Sequence, residues 1–203
     1  MAGKFITLEG SEGSGKSTQS ALIYEYLKGR GKDVIQLREP GGVKISEAIR
    51  NLLLDVKNEA MSNECETLLY MAARAQVVKE TIAPALKAGK IIICDRFLDS
   101  TLVYQGFGHG MDIGFIKELG LFATGGIKPD LTLLFDIDTK EGLSRTNAQK
   151  DRIELRSIEY HECVRRGYLD LAVKEPQRIK VIKVDAPKEE IFKRVQEYIE
   201  GIL

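Results

Sequence analysis

No charge of one sign dominates this sequence. Lysine and arginine number 30, and so do aspartate and glutamate. That balance argues against a general nucleic-acid binder or a membrane-surface protein, and leaves the basic residues to act locally. Cysteine is scarce: Cys65, Cys94 and Cys163 lie far apart and in no metal spacing. A disulfide framework is therefore excluded, and buried thiols in a reducing cytosol are expected. No apolar run approaches the length of a membrane span, and no signal-peptide core opens the chain, so a cytoplasmic protein is expected. The two histidines, His109 and His161, stand in no partner pattern and read as structural or exposed. Linkers, repeats and low-complexity segments are lacking too, and 203 residues favour a single domain with a real core.

What is present is concentrated at the start. The β-forming run Phe5-Ile6-Thr7-Leu8-Glu9 leads into Gly10-Ser11-Glu12-Gly13-Ser14-Gly15-Lys16-Ser17, which satisfies G-x-x-x-x-G-K-[ST] at every fixed position. Ser17 to Lys28 then reads as a helix with Ala21, Leu22, Tyr24 and Leu27 as its apolar positions. This strand–loop–helix context identifies a phosphate-binding P-loop. Glycines let successive N–H groups curl round a phosphate, and the helix N-terminus adds partial positive charge. Lys16 puts an ammonium on the β and γ phosphates, and Ser17 offers a hydroxyl to Mg²⁺.

Apolar runs alternate with helical patterns along the rest of the chain. Strands are predicted at Lys4–Glu9, Asp33–Arg38, Ile91–Asp95, Leu131–Asp136 and Ile179–Val184, and helices near Ser17–Lys28, Ile45–Leu54, Glu64–Ala88, Asp112–Phe122, Lys140–Ala148, Ile153–Lys174 and Lys188–Ile199. Pro84 is expected to kink the third helix or to start a new one. Gly106–Gly110 and Thr124–Pro129 read as loops. The alternation implies an α/β fold of three layers, a mainly parallel sheet flanked by helices. Ligands then sit beyond the carboxyl ends of the strands. The P-loop, Arg38-Glu39-Pro40-Gly41-Gly42 and Asp95-Arg96-Phe97 should therefore converge on one cleft.

Each constellation has a plain reading beside the functional one. An arginine fork at Arg38 suits a phosphate dianion, or is a surface arginine. Asp95 can hold metal-bound water or orient Arg96, or pairs with it structurally. Tyr70 and Arg74 are four apart on one helix face, placed to cover and hydrogen-bond a flat base, or are a core tyrosine with an exposed arginine. Arg145, Lys150 and Arg152 lie in the polar segment 139–154. That segment reads as a lid bringing cations over transferring phosphates, or as a solvated charged face.

Taken in order, these residues resemble the thymidylate kinase family over nearly the whole chain. The likeness rests on Leu8-Glu9-Gly10 with the P-loop, Arg38-Glu39-Pro40-Gly41-Gly42, Leu69 to Gln76, Asp95-Arg96-Phe97, Ser100-Thr101, Tyr104-Gln105-Gly106, Pro129-Asp130-Leu131, Asp151-Arg152-Ile153-Glu154, Gly167-Tyr168-Leu169 and Val184-Asp185-Ala186. It implies a P-loop NTPase fold with five parallel strands ordered 2-3-1-4-5, a short lid and a homodimer. Arg38 and Arg96 are implied to hold the acceptor phosphate, Tyr70 to stack on thymine, and Arg74 to face its O4. Ser100 and Thr101 are implied at the base edge, with Tyr104 under the deoxyribose and Gln105 among the substrate-binding residues. Glu9 is implied near the reacting phosphates, metal or sugar. Gly10 to Thr18, Arg145, Asp185 and Ala186 are implied on the nucleotide side, with Ser17, Glu9 and Asp95 as metal candidates. The P-loop has no basic residue at Ser11, Glu12, Gly13 or Ser14 while the lid has several, which resembles the bacterial-type arrangement. Val43 and Ser46 depart from the Thr and Gly common in the family, whereas Glu47 and Arg50 are retained.

The expected activity is transfer of the ATP γ-phosphoryl to dTMP with Mg²⁺, with Lys16, Arg96, Arg152 and Glu9 as catalytic candidates. No covalent intermediate is needed, because positioning and charge stabilisation do most of the work. Nucleic acid and membrane are not expected as partners. The alternatives are a kinase for another nucleotide or a deoxynucleoside, and a nucleotide-switch ATPase acting through a partner.

Overall fold

The inner strands are apolar on both sides, which demands helices on both faces of the sheet. The strands are β1 (Lys4–Gly10), β2 (Val34–Arg38), β3 (Ile91–Asp95), β4 (Leu131–Asp136) and β5 (Ile179–Lys183). In β1, Ile6 and Leu8 face one layer and Phe5 the other; in β3, Ile91 and Ile93 part from Ile92 and Cys94 in the same way. The computed structural model describes residues 3–146 and 150–203. It orders the sheet β2-β3-β1-β4-β5, with every neighbouring pair parallel.

The helices are α1 (Lys16–Gly29), α2 (Lys44–Leu54), α3 (Asn63–Val77), α4 (Ala83–Lys87), α5 (Leu98–Thr101), α6 (Ile113–Thr124), α7 (Thr139–Ser144), α8 (Ile158–Lys174) and α9 (Lys188–Glu200). On one face α1 and α9 bring Ile23, Leu27, Ile191, Val195 and Ile199 to the core. On the other, α3 and the turns after it meet Phe5, Ile92 and Phe97, while α6 and α8 close over Leu134 with Ile116, Val164 and Leu171. In the register, Arg38 and Leu8 both pair with Asp95, so three strand ends stop level with one another and the loops beyond them meet.

Three segments differ from the sequence reading. The long third helix is divided: α3 runs into a π-helical turn, Val78–Ile82, and α4 follows with Pro84 in its first turn. Proline cannot donate to a carbonyl one turn back, and a wider turn relieves the clash of its ring. The predicted helix from Ile153 begins only at Ile158, because there are two caps in series. Asp151 Oδ1 accepts from the Ile153 and Glu154 amides at 2.9 Å, closing a turn, and Ser157 Oγ then accepts from the Tyr160 amide at 3.3 Å. Leu98 to Phe107 is helical, as α5 and a π turn over Leu102–Phe107, where no helix is predicted and Gly106 onward reads as loop. The predicted helix Lys140–Ala148 is α7, ending at Ser144; Ala148 lies outside the described residues.

Candidate active site

The loop between β1 and α1 owes its curl to backbone conformations only glycine takes readily. Gly13 and Gly15 lie at φ 67° and 82°. A Cβ on Gly13 would also stand 2.0 Å from the Gly142 carbonyl oxygen, so α7 presses directly on the loop. Lys16 curls back over it. Its Nζ donates to Gly10 O at 3.0 Å, Ser11 O at 2.8 Å and Ser14 Oγ at 3.2 Å. Burial, with Arg96 beside it, pulls the lysine down to about 8. Ser17 Oγ donates to Asp95 Oδ2 at 2.8 Å. That hydroxyl–carboxylate pair lies on the wall of the cleft formed by Gly13 to Thr18, Arg38 and Arg96, and hard oxygens of this kind suit Mg²⁺.

Glu9 departs from the expected metal position. It is completely buried, and both carboxylate oxygens are occupied. Oε1 accepts from the Phe97 amide at 2.8 Å and the Ser100 amide at 3.3 Å. Oε2 accepts from Ser100 Oγ at 2.6 Å and Tyr168 Oη at 2.7 Å. With no oxygen facing the cleft, it cannot act as a metal ligand here. It caps the first turn of α5 across the fold instead. Burial foremost, then the neighbouring Asp99, raises its carboxyl to about 7.

Arg96 is the only non-glycine among the described residues with positive φ, at 69°. That conformation costs roughly 1–3 kcal/mol and aims the guanidinium back over β1. Nη1 donates to Gly10 O at 3.1 Å, Tyr168 Oη at 3.2 Å and Ser100 Oγ at 3.3 Å, and Nη2 to Glu12 Oε1 at 2.6 Å. Tyr104 Oη donates to the same Glu12 oxygen at 2.8 Å. Burial opposes the Glu12 charge, but Arg96 and Lys16 outweigh it and hold the carboxyl at about 2.

Beyond Glu12 opens a cavity of about 120 Å³ bounded by Tyr70, Arg74, Arg96, Ser100, Thr101, Tyr104 and Gln105. That volume approaches the ~150 Å³ of an engineered cavity that accepts benzene. The residues expected around a base are thus gathered at one ring-sized space. Arg74 is buried and fixed: Nε donates to Glu39 Oε2 at 2.8 Å, Nη1 to Thr101 Oγ1 at 3.0 Å and Nη2 to Phe97 O at 2.9 Å. Glu12, Glu39, Arg50, Arg96 and Asp151 line both this cavity and the P-loop cleft. Of these, Glu39, Arg50 and Asp151 were missed as site residues by the sequence reading. Each sits in a motif it quoted or noted, and the position of Arg50 two turns into a helix that starts at a strand end was the available signal.

Arg38, half-exposed, pairs with Glu47 at 3.1 Å on the P-loop side. Arg145, Asp185 and Ala186 come together around a separate cleft with Asp136, Arg165 and Val184. Arg145 is held by Glu141 at 2.5 Å, and Lys150 is exposed. Arg152 does not take the expected place over the phosphates. It is buried, its Nε donating to Leu53 O at 2.8 Å and its Nη2 to Glu66 Oε2 at 2.5 Å. A buried carboxylate that would otherwise stand uncompensated claims it.

Comparison with known proteins now bears on this geometry. The family profile described as "Thymidylate kinase" matches residues 8–195. The chain belongs to the thymidylate kinase family. The thymidylate kinase of Symbiobacterium thermophilum is 46% identical over 200 residues, covering 98% of this chain and 94% of the relative. That of Geobacillus sp. strain WCH70 is 44% identical over 209 residues, covering 99% and 100%. The crystal structure of thymidylate kinase from Ehrlichia chaffeensis matches with a TM-score of 0.83 and 34% identity, over 98% of this chain and 100% of that one. Membership in the thymidylate kinase family accounts for the sheet order and for the P-loop at the end of β1.

The raised carboxyl of Glu9 gives a pH dependence of defined sign. A group lifted from 4.5 to about 7 on folding stabilises the protonated native state. Its contribution is complete below pH ~4.5 and is lost as the pH rises through ~7. Relative to Glu9→Gln, the wild type should lose stability across that window, by roughly 3 kcal/mol, and stay level above it. Urea unfolding of both proteins at a series of pH values measures this; a difference independent of pH would contradict it.

Proposed function

We infer that this chain transfers the γ-phosphoryl of ATP to dTMP, giving dTDP and ADP on the route to dTTP. The observation that carries the reading is the shared wall: a ring-sized cavity with Tyr70 and Arg74 opens onto the P-loop cleft through Glu12, Glu39, Arg50 and Arg96. An acceptor with a flat base at one end and a phosphate at the other spans those two spaces. Basic residues at the junction suit a monophosphate better than a 5′-hydroxyl, which would want a general base there. A switch ATPase has no use for the second cavity.

In this reading Arg38 and Arg96 hold the acceptor phosphate, with Arg50 beside them. Tyr70 stacks on the base, Arg74 donates to its O4, and Ser100, Thr101 and Gln105 meet its edge. Tyr104 packs under the deoxyribose. Gly10 to Thr18 cradle the donor phosphates. Lys16 leaves the loop carbonyls to neutralise the transferring group. Glu9 acts by fixing Ser100 and Tyr168 around Arg96. Asp185 and Ala186 wall the donor base, with Arg145 as the lid cation on that side, in one domain whose lid is the segment 139–154. Ser17 and Asp95 are the residues that fit Mg²⁺, which when bound with ATP supplies charge neutralisation at the phosphates.

The apolar surface supports a homodimer. Ile45 and Leu52 on α2, Leu68 on α3, and Phe115 and Phe122 on α6 are all exposed, Phe122 to 86%, and these helices pack side by side. An uncovered apolar face of this kind marks an interface. Free thiols at Cys65, Cys94 and Cys163 fit a cytoplasmic site.

Presented with a panel of nucleoside monophosphates, ATP and Mg²⁺, the protein should use dTMP best, read by ADP formation and product identity. Better use of AMP, GMP or CMP would overturn the assignment. Lys16→Ala should lower kcat/KM by at least a hundredfold while the far-ultraviolet dichroism stays that of the wild type, since one such charged donor contributes about 3–4 kcal/mol at the transition state. Phe122→Asp should shift the protein from dimer to monomer in sedimentation at micromolar concentration; a wild type that is already monomeric there would remove the dimer.

A further inference from the structure

Glu66 is a charged residue that no feature of the reaction described so far uses. It lies in the first half of α3 with its side chain 1% exposed, and it gathers polar partners from two separate segments, Gln105–His109 and Arg152–Arg156. Oε2 takes Arg152 Nη2 at 2.5 Å and Arg156 Nη2 at 2.7 Å. Oε1 takes Gln105 Nε2 at 2.8 Å and faces His109 Nε2 at 3.3 Å. Burial opposes its charge, but His109, Arg156, Gln105 and Arg152 together hold it at about 2, so it is a carboxylate at any working pH. A carboxylate accepts and never donates.

That fact fixes the orientation of its neighbour. Gln105 must turn its NH₂ towards Glu66, which leaves its carbonyl oxygen on the other side. Gln105 lines the base cavity. Its Oε1 takes no hydrogen bond from the described residues and is absent from the sealed, unpartnered buried atoms, which are Gln19 Oε1, Glu39 Oε1, Thr139 Oγ1 and His161 Nε2. It is therefore open to the cavity. Without Glu66 the amide would be free to rotate and offer either a donor or an acceptor.

We propose that Glu66 is a specificity-positioning residue: by holding the Gln105 amide N–H, it presents the Gln105 carbonyl oxygen to the base cavity as an acceptor for an imide N–H. The inference rests on the dTMP reading and deepens it. Thymine and uracil carry an N3–H donor between two carbonyls, whereas cytosine has an N3 acceptor beside an amine. An acceptor at Gln105 with a donor at Arg74 matches the first pattern and opposes the second. Rejection of the wrong pattern follows from leaving buried polar groups unpaired. Glu66 touches no substrate and acts only through Gln105.

The isosteric change Glu66→Gln reverses the pattern. Arg152 and Arg156 require an acceptor, so the new amide keeps its oxygen towards them and turns its NH₂ to Gln105. Gln105 must then rotate and offer its own NH₂ to the cavity. The expected result is a fall of about tenfold or more in the kcat/KM ratio of dTMP to dCMP, carried mainly by KM for dTMP. In a Gln105→Ala background, Glu66→Gln should no longer move that ratio. An unchanged ratio in a folded Glu66→Gln protein overturns the proposal, as does a shift that persists without Gln105. Should Glu66→Gln fail to fold, the wild type alone decides: N3-methyl-dTMP should bind at least tenfold more weakly than dTMP in calorimetry, and equal binding refutes the acceptor. A wild type that ignores dTMP overturns the functional reading and this proposal together. A wild type that uses dTMP while the ratio stays fixed overturns the positioning role alone.

Discussion

One buried carboxylate organises this site. Glu9 takes the amides of Phe97 and Ser100 and the hydroxyls of Ser100 and Tyr168. It thereby joins the end of β1 to α5 and α8, and Arg96 and the Ser100–Tyr168 hydroxyl pair reinforce the junction. A carboxylate sealed from water is costly unless fully hydrogen-bonded, so the four donors are as much required by Glu9 as held by it. Arg96 depends on the arrangement. Its strained backbone is tolerable because Gly10, Ser100 and Tyr168 accept from one end of its guanidinium and Glu12 from the other. Remove the carboxylate, and both the start of α5 and the direction of Arg96 lose their cause.

The sheet was readable from the sequence because its signal is local. Runs such as Ile91-Ile92-Ile93-Cys94 are apolar at consecutive positions, and only strands buried on both faces are written that way. The P-loop was readable because its glycines, lysine and serine act through spacing alone. The helix from Leu98 to Phe107 was not, since its first turn is capped by a residue 88 positions earlier and its later turn is π-helical. Nothing in Leu98 to Gly106 announces a cap donated by another strand.

Arg152 teaches the complementary lesson. A basic residue in a polar segment was read as a cation for phosphates, and its type alone permits that. What decides its position is Glu66, an acidic residue 86 positions away that no local pattern marks as buried. Charges in a chain are read singly, but in a fold the most desolvated one chooses its partners first. Arg74 illustrates the same rule with a different outcome: held by Glu39 at 2.8 Å, it still lines the cavity beside Tyr70.

The P-loop lysine has a further consequence. Its Nζ donates to two carbonyls and a hydroxyl, and burial with Arg96 beside it lowers its proton affinity to about 8. Polyphosphate in place of those neutral oxygens raises that affinity again. Binding of such a polyanion would therefore also be an act of proton capture. Above pH ~8 a polyphosphate seated there would take up a proton from solution. The loop's grip on phosphate and the acidity of the medium are one equilibrium, set by the burial of Lys16 and the arginine beside it.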